Sequence, residues 1–107
     1  MNAMCVLPNN IRDRIIEVLS QEPSVKTAIL FGSRARGYAR ANSDIDLALI
    51  GSNIPLSLHT RLREAAGLYR IDIVRWDEVD NDELRANITN DGVVLYSNEE
   101  ASAIDNR

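Results

Sequence analysis

Apolar residues follow two rhythms along the chain, and the changes between them predict its elements. Ile11, Ile15, Val18 and Leu19 recur at helical spacing after Pro8-Asn9-Asn10, which offers a helix start, and Glu22-Pro23 stops the pattern. This stripe predicts an amphipathic helix whose apolar face is core. Val25 to Phe31 reads as a strand broken by Gly32-Ser33, and Ser33 to Ala39 as a short helix. Asp44 to Ile50 alternates, with Ile45, Leu47 and Leu49 on one face and Asp44 and Asp46 on the other, closed by Gly51-Ser52-Asn53. Pro55 opens a second long helix lined by Leu58, Leu62, Ala66 and Tyr69, with Gly67 weakening its end. Ile71 to Trp76 alternates again, with Ile71 and Ile73 inward and Arg70, Asp72 and Val74 on the opposite side. A cap at Asp80, Glu83 three residues later and a Val79–Leu84 staple predict a third helix. Its inward residues are Leu84 and Ile88, and Asp91-Gly92 ends it before a short last strand, Val93 to Tyr96. The order is helix, strand, turn, strand, helix, strand, helix, strand. It predicts an α/β (α+β) fold with one small mixed sheet and flanking helices.

Composition narrows the class of protein. The chain has 107 residues and no internal repeat, so residues 1–96 are expected to form a single domain and residues 97–107 a polar tail. Hydrophobic residues at 45% and charged residues at 26% match an ordinary soluble protein. No apolar run approaches the roughly 18 residues that span a bilayer, and the N-terminus lacks the pattern of a signal peptide, so a cytoplasmic location is expected. The single cysteine, Cys5, excludes an internal disulfide and a Cys-based zinc site, and it reads as inert. Twelve basic and sixteen acidic side chains leave a net charge of −4, which disfavours long nucleic acid but not a small phosphorylated ligand.

The chemistry is concentrated in Phe31-Gly32-Ser33-Arg34-Ala35-Arg36-Gly37 and Asn42-Ser43-Asp44-Ile45-Asp46-Leu47. Aspartate is disfavoured inside strands, yet two stand on the same face of one strand, where their mutual repulsion calls for a cation. Magnesium suits such a pair, because it takes one or two carboxylates together with phosphate oxygens and water. Asp72 faces away from the core between Ile71 and Ile73, and it joins the same cleft if its strand lies beside the first. Three such carboxylates suit two metal ions about 3.5–4 Å apart, one activating the attacking oxygen and one holding a triphosphate. Gly32 permits close backbone approach to a ligand, and Ser33 offers a hydroxyl and N–H groups to phosphate at a helix start. Arg34, Arg36 and Arg40 add positive charge beside it. The glycine spacing matches a P-loop, but Tyr38 stands where the lysine belongs. Asp44-Ile45-Asp46 matches the start of an EF-hand loop, but no glycine holds the turn and an apolar run follows.

Gly32-Ser33, ten intervening residues and Asp44-Ile45-Asp46 resemble the signature of the polymerase-beta-type nucleotidyltransferase superfamily. The fuller strings, ending at Gly37 and Leu47, resemble its minimal nucleotidyltransferase branch, and the likeness runs from about Val25 through Trp76. The resemblance implies a polymerase-beta-like fold and transfer of a nucleotidyl group from a nucleoside triphosphate to a hydroxyl. It implies that Asp44 and Asp46 bind two Mg²⁺ ions and that Asp72 binds the catalytic one and helps to deprotonate the acceptor. It further implies that Gly32 and Ser33 hold the triphosphate, with Arg36 beside them.

Larger members of the superfamily add helical domains that grip the acceptor, which a chain of this length does not accommodate. Stand-alone chains of the branch resemble antitoxins paired with a HEPN-domain toxin, in which AMP from ATP is transferred to a toxin tyrosine. The resemblance therefore implies an adenylyltransferase antitoxin with ATP and Mg²⁺ as cofactors and a HEPN-type partner. The alternatives are a binding module that neutralises a partner by contact alone and a small-molecule nucleotidyltransferase subunit. Tyr38 and Arg40 are the candidates for acceptor contact, because their loop borders the cleft. Trp76 reads as packing rather than as a platform for a base. His59 falls outside the apolar stripe and is expected to be solvated, while Arg61, Arg63 and Glu64 form an exposed face and Glu99-Glu100 a free end.

Overall fold

The computed structural model describes residues 7–32 and 44–98. Helix α1, Asn9–Ser20, begins directly after Pro8 and buries Ile11, Ile15 and Leu19, while Val18 is half-buried at the margin of that stripe. Its end turns through Glu22, whose carboxylate accepts a 2.6 Å hydrogen bond from the Ser24 hydroxyl, and leads into strand β1, Val25–Phe31. Strand β2, Ile45–Gly51, follows, then helix α2, Ser57–Ala66, and strand β3, Ile71–Arg75. A 3-10 turn at Trp76–Glu78, helix α3 at Asp82–Asp91 and strand β4 at Val93–Ser97 complete the described chain. The expected order of elements is the observed one, apart from the short helix at Ser33 to Ala39, which lies outside the described residues. Cys5 and Glu99-Glu100 also lie outside them.

The sheet runs β3-β2-β1-β4. Strand β1 pairs antiparallel with both β2 and β4, whereas β2 and β3 are parallel and are joined through α2, as a parallel pair requires. The sheet is therefore mixed, as the alternating segments predict. Helices α1 and α2 cover one face, where Leu58, Leu62 and Ala66 meet Ala28, Leu30, Ile45, Leu47 and Leu49 in the main core.

Simple alternation would leave the aspartate-bearing face of β2 polar, but most of it is covered. Helix α3 lies against it, so Ile88 closes over Phe31 and Ala48, with Ile29, Val74, Trp76 and Leu84 around them. Smaller differences have local causes. The cap of α3 is Asn81, whose side-chain oxygen accepts a 2.9 Å bond from the Leu84 N–H, rather than Asp80 one residue earlier. Helix α2 stops at Ala66 because Gly67 turns with φ +66, so Tyr69 packs on the core from the following turn rather than from the helix. Ser97 closes β4, and the Asn98 N–H donates to the Lys26 carbonyl at 2.8 Å, so the ladder runs beyond Tyr96. His59 is half-buried rather than solvated, because α2 turns it toward the end of β3.

Candidate active site

The pairing register brings Asp46 and Asp72 together. Phe31 lies opposite Asp46 across the antiparallel pair, and Asp46 lies beside Asp72 across the parallel pair. Phe31, Asp46 and Asp72 therefore form one row across three strands, with neighbouring strands about 4.8 Å apart. Asp44 precedes β2 by one residue and shares the side of Asp46, about 7 Å back along the chain. This row stands at the C-terminal end of β1 and the N-terminal ends of β2 and β3. The neighbouring row, Ile29, Ala48 and Val74, belongs to the apolar cluster under α3. The sheet face thus changes from covered to open within one row: Asp46 is half-buried, while Asp44 and Asp72 are exposed.

Burial pushes the Asp46 carboxyl above the usual aspartate range, and the like charges of Asp72 and then Asp44 push it further. Asp72 and Asp44 thus both lie within electrostatic reach of Asp46, which the sequence could suggest for Asp72 only if the strands were neighbours. Carboxylate oxygens are hard, anionic donors of the kind Mg²⁺ takes, and the negative charges of Asp72 and Asp44 beside Asp46 would favour a cation among them. Among the described residues, no group of three or more His, Cys, Asp or Glu side chains, the three aspartates included, is placed to hold a metal ion by itself. A Mg²⁺ site of this class draws its remaining ligands from water and phosphate oxygens.

Gly32 ends β1 against this row with φ +79, a left-handed conformation that side chains resist. A Cβ there would collide with Oδ2 of Asp46, so the absence of a side chain lets strand end and carboxylate sit together. The partners expected beside Gly32, namely Ser33, Arg34, Arg36, Tyr38 and Arg40, lie outside the described residues. Trp76 is packed in the cluster under α3, and the Arg85 guanidinium lies 4.6 Å from its ring centroid. Arg85 also donates to the carbonyls of Val79, at 2.7 Å, and Trp76, at 3.2 Å, and so fixes the turn after β3. The packing role expected for Trp76 is the one observed.

Comparison with known proteins follows the same lines. A family model described as Polymerase beta, Nucleotidyltransferase matches residues 13–101. No curated protein matches the chain. Among solved structures, a toxin-antitoxin complex with AMP-PNP is similar at 23% identity and a TM-score of 0.67, covering 87% of this chain and 78% of that one. An AMPylated HEPN toxin from Shewanella oneidensis in complex with its MNT antitoxin is similar at 20% identity and a TM-score of 0.62, covering 88% and 76%. A candidate minimal nucleotidyltransferase shares 29% identity at a TM-score of 0.61, covering 87% of this chain and 98% of its own. Among the described residues, no helix is long and apolar enough to cross a membrane.

Proposed function

Because the chain belongs to the polymerase beta nucleotidyltransferase family, we propose that it transfers AMP from ATP to a hydroxyl of a partner protein, a tyrosine of a HEPN-type toxin, and so acts as its antitoxin. The observation that carries this reading is the row in which Asp46 and Asp72 are strand neighbours, with Asp44 on the same side and Gly32 against Asp46. Choice of nucleotide and acceptor is supported by the similar complexes, one holding AMP-PNP and one an AMPylated HEPN toxin.

In this mechanism Asp44 and Asp46 would hold two Mg²⁺ ions, and Asp72 would share in holding the catalytic one. Bound magnesium supplies positive charge that activates the attacking oxygen and neutralises the triphosphate. Asp72, the exposed member of the row, meets the acceptor hydroxyl and helps to take its proton. The oxygen attacks the α-phosphorus, the bond to the β-phosphate oxygen breaks, and pyrophosphate leaves. Gly32, with Ser33 and Arg36, steadies the triphosphate in line for that attack.

The test is transfer of label from ATP carrying a radioactive α-phosphate to a co-expressed HEPN-domain protein. The wild-type chain should label it, and Asp44→Asn combined with Asp46→Asn should abolish labelling. Undiminished labelling by the double variant overturns the site. Full protection of cells by Asp46→Ala would instead identify a module that acts by contact alone.

A further inference from the structure

A second cleft, of about 660 Å³, runs along the outer edge of β3 and contains none of the three carboxylates. Ile73, Val74 and Arg75 line it from the strand, Leu56 and His59 from α2 and the residue before it, and Glu78 from the turn that follows. Three features of this cleft are unusual together. Strand β3 is one of the sheet's two edge strands, so its outer backbone N–H and C=O groups have no strand partner among the described residues. Leu56 is a large apolar side chain left 74% exposed. Arg75 Nη2 and His59 Nε2 are both shielded from solvent, and neither has a hydrogen-bond partner among the described residues. Native proteins rarely leave such groups unmatched, so two in one cleft point to a missing partner.

The chemistry of the walls specifies that partner. An open strand edge accepts another extended chain through main-chain hydrogen bonds, and the apolar lining takes its alternate side chains. The guanidinium of Arg75 calls for a carboxylate. Burial, then the positive charges of Arg75 and Arg63, lower the His59 pKa against an opposing pull from Glu78, which favours a neutral polar nitrogen over a second full charge. We propose that an extended segment of the acceptor protein docks in this cleft as an added strand along β3 and places an aspartate or glutamate side chain against Arg75 and His59. The proposal rests on the reading of the acceptor as a protein. It also relates docking to chemistry, because Arg75 and Asp72 are three residues apart on one strand, about 10 Å. A segment anchored at Arg75 and running along β3 delivers an acceptor hydroxyl to Asp72 some three residues from its acidic anchor.

The experiment compares wild type, Arg75→Glu and Leu56→Asp, using the co-expressed HEPN-domain protein as the probe. Binding is followed by calorimetry, and labelled AMP transfer is followed as partner concentration varies. Each variant should weaken binding and raise the KM for the partner at least tenfold, with kcat and the KM for ATP unchanged. Changing the anchoring acidic residue of the partner to lysine should restore binding to Arg75→Glu. Wild-type affinity in both folded variants overturns the proposal, as does a failure of the wild-type chain to bind the partner. If Leu56→Asp instead dissociates copies of this chain from one another, the cleft belongs to a self-interface and the proposal falls. Tight binding without labelling leaves docking standing and refutes transfer, whereas labelling with an unchanged partner KM in both variants refutes docking alone.

Discussion

Two glycines with positive φ provide a matched test of whether Gly32 serves the carboxylate row. Gly32 has φ +79 and Gly67 has φ +66, so alanine at either position meets backbone strain of about 1–3 kcal/mol. At roughly 4–8 °C of melting temperature per kcal/mol for a domain near this size, each substitution should lower Tm by about 4–24 °C. Their surroundings separate them. At Gly67 the nearest atom to a new Cβ is Arg14 Nη2 at 3.6 Å, an ordinary contact. At Gly32 the new Cβ overlaps Asp46 Oδ2 and lies 3.2 Å from its Cγ, so the carboxylate must move. A displacement of about 1 Å in a catalytic group costs on the order of 100-fold in rate. Gly67→Ala should therefore lose stability and keep AMP transfer, whereas Gly32→Ala should lose stability and about 100-fold in transfer. Circular-dichroism melts and the labelled-ATP assay measure the two effects, and a carbon-detected NMR titration of Asp46 reports its displacement independently of turnover. Transfer by Gly32→Ala within about threefold of Gly67→Ala, with Asp46 titrating as in wild type, would refute the link.

The remaining predictions concern charge and local anchoring. Asp46 binds its proton more tightly folded than unfolded, so metal-free wild type should lose stability as pH rises from the usual aspartate range through the raised folded value. Asp46→Asn should remove that loss and be the more stable protein at pH 7 in urea titrations with EDTA; a less stable variant there contradicts the assigned repulsion. Arg85→Met removes two part-buried hydrogen bonds and the contact with Trp76, and it should cost about 1–3 kcal/mol. Trp76 is the single tryptophan, so its emission should shift to the red on that substitution, and an unchanged spectrum counts against the packing described. Asn81→Ala should cost about 1 kcal/mol as a lost helix cap, and Asp80→Ala less than about 0.5 kcal/mol; the opposite order in chemical denaturation would return the cap to Asp80.

Much of this architecture was legible because strong local signals agreed with the tertiary outcome. The stripe of Ile11, Ile15 and Leu19 and the alternation of Ile45, Leu47 and Leu49 each marked a core face, since one side of the sheet is covered by two helices. The other side was harder to read. Ala48 and Val74 look like gaps in an outward polar face until α3 is known to lie on them, and no local pattern encodes that placement. The Asn81 cap was missed for a similar reason, because Asp80 and Asn81 cap equally well in isolation and backbone geometry chooses between them. Asp44 and Asp46 announced themselves as polar residues at unfavourable positions. Joining Asp72 to them depended on strand order, which periodicity does not carry. His59 was misread because its distance from the apolar stripe says nothing of Arg75, which approaches from another element.

The register between β2 and β3 has a bearing on folding as well as chemistry. Ile71 and Ile73 reach the core only in the alignment that also sets Asp72 beside Asp46. Sliding β3 by one position would drive the aspartate into the hydrocarbon interior and turn two isoleucines outward. Chains in a shifted alignment would therefore be discarded as poorly folded rather than persist as folded molecules with a broken acidic row. The alignment of the acidic row is thus delegated to hydrophobic packing, and selection for a sound interior also maintains it.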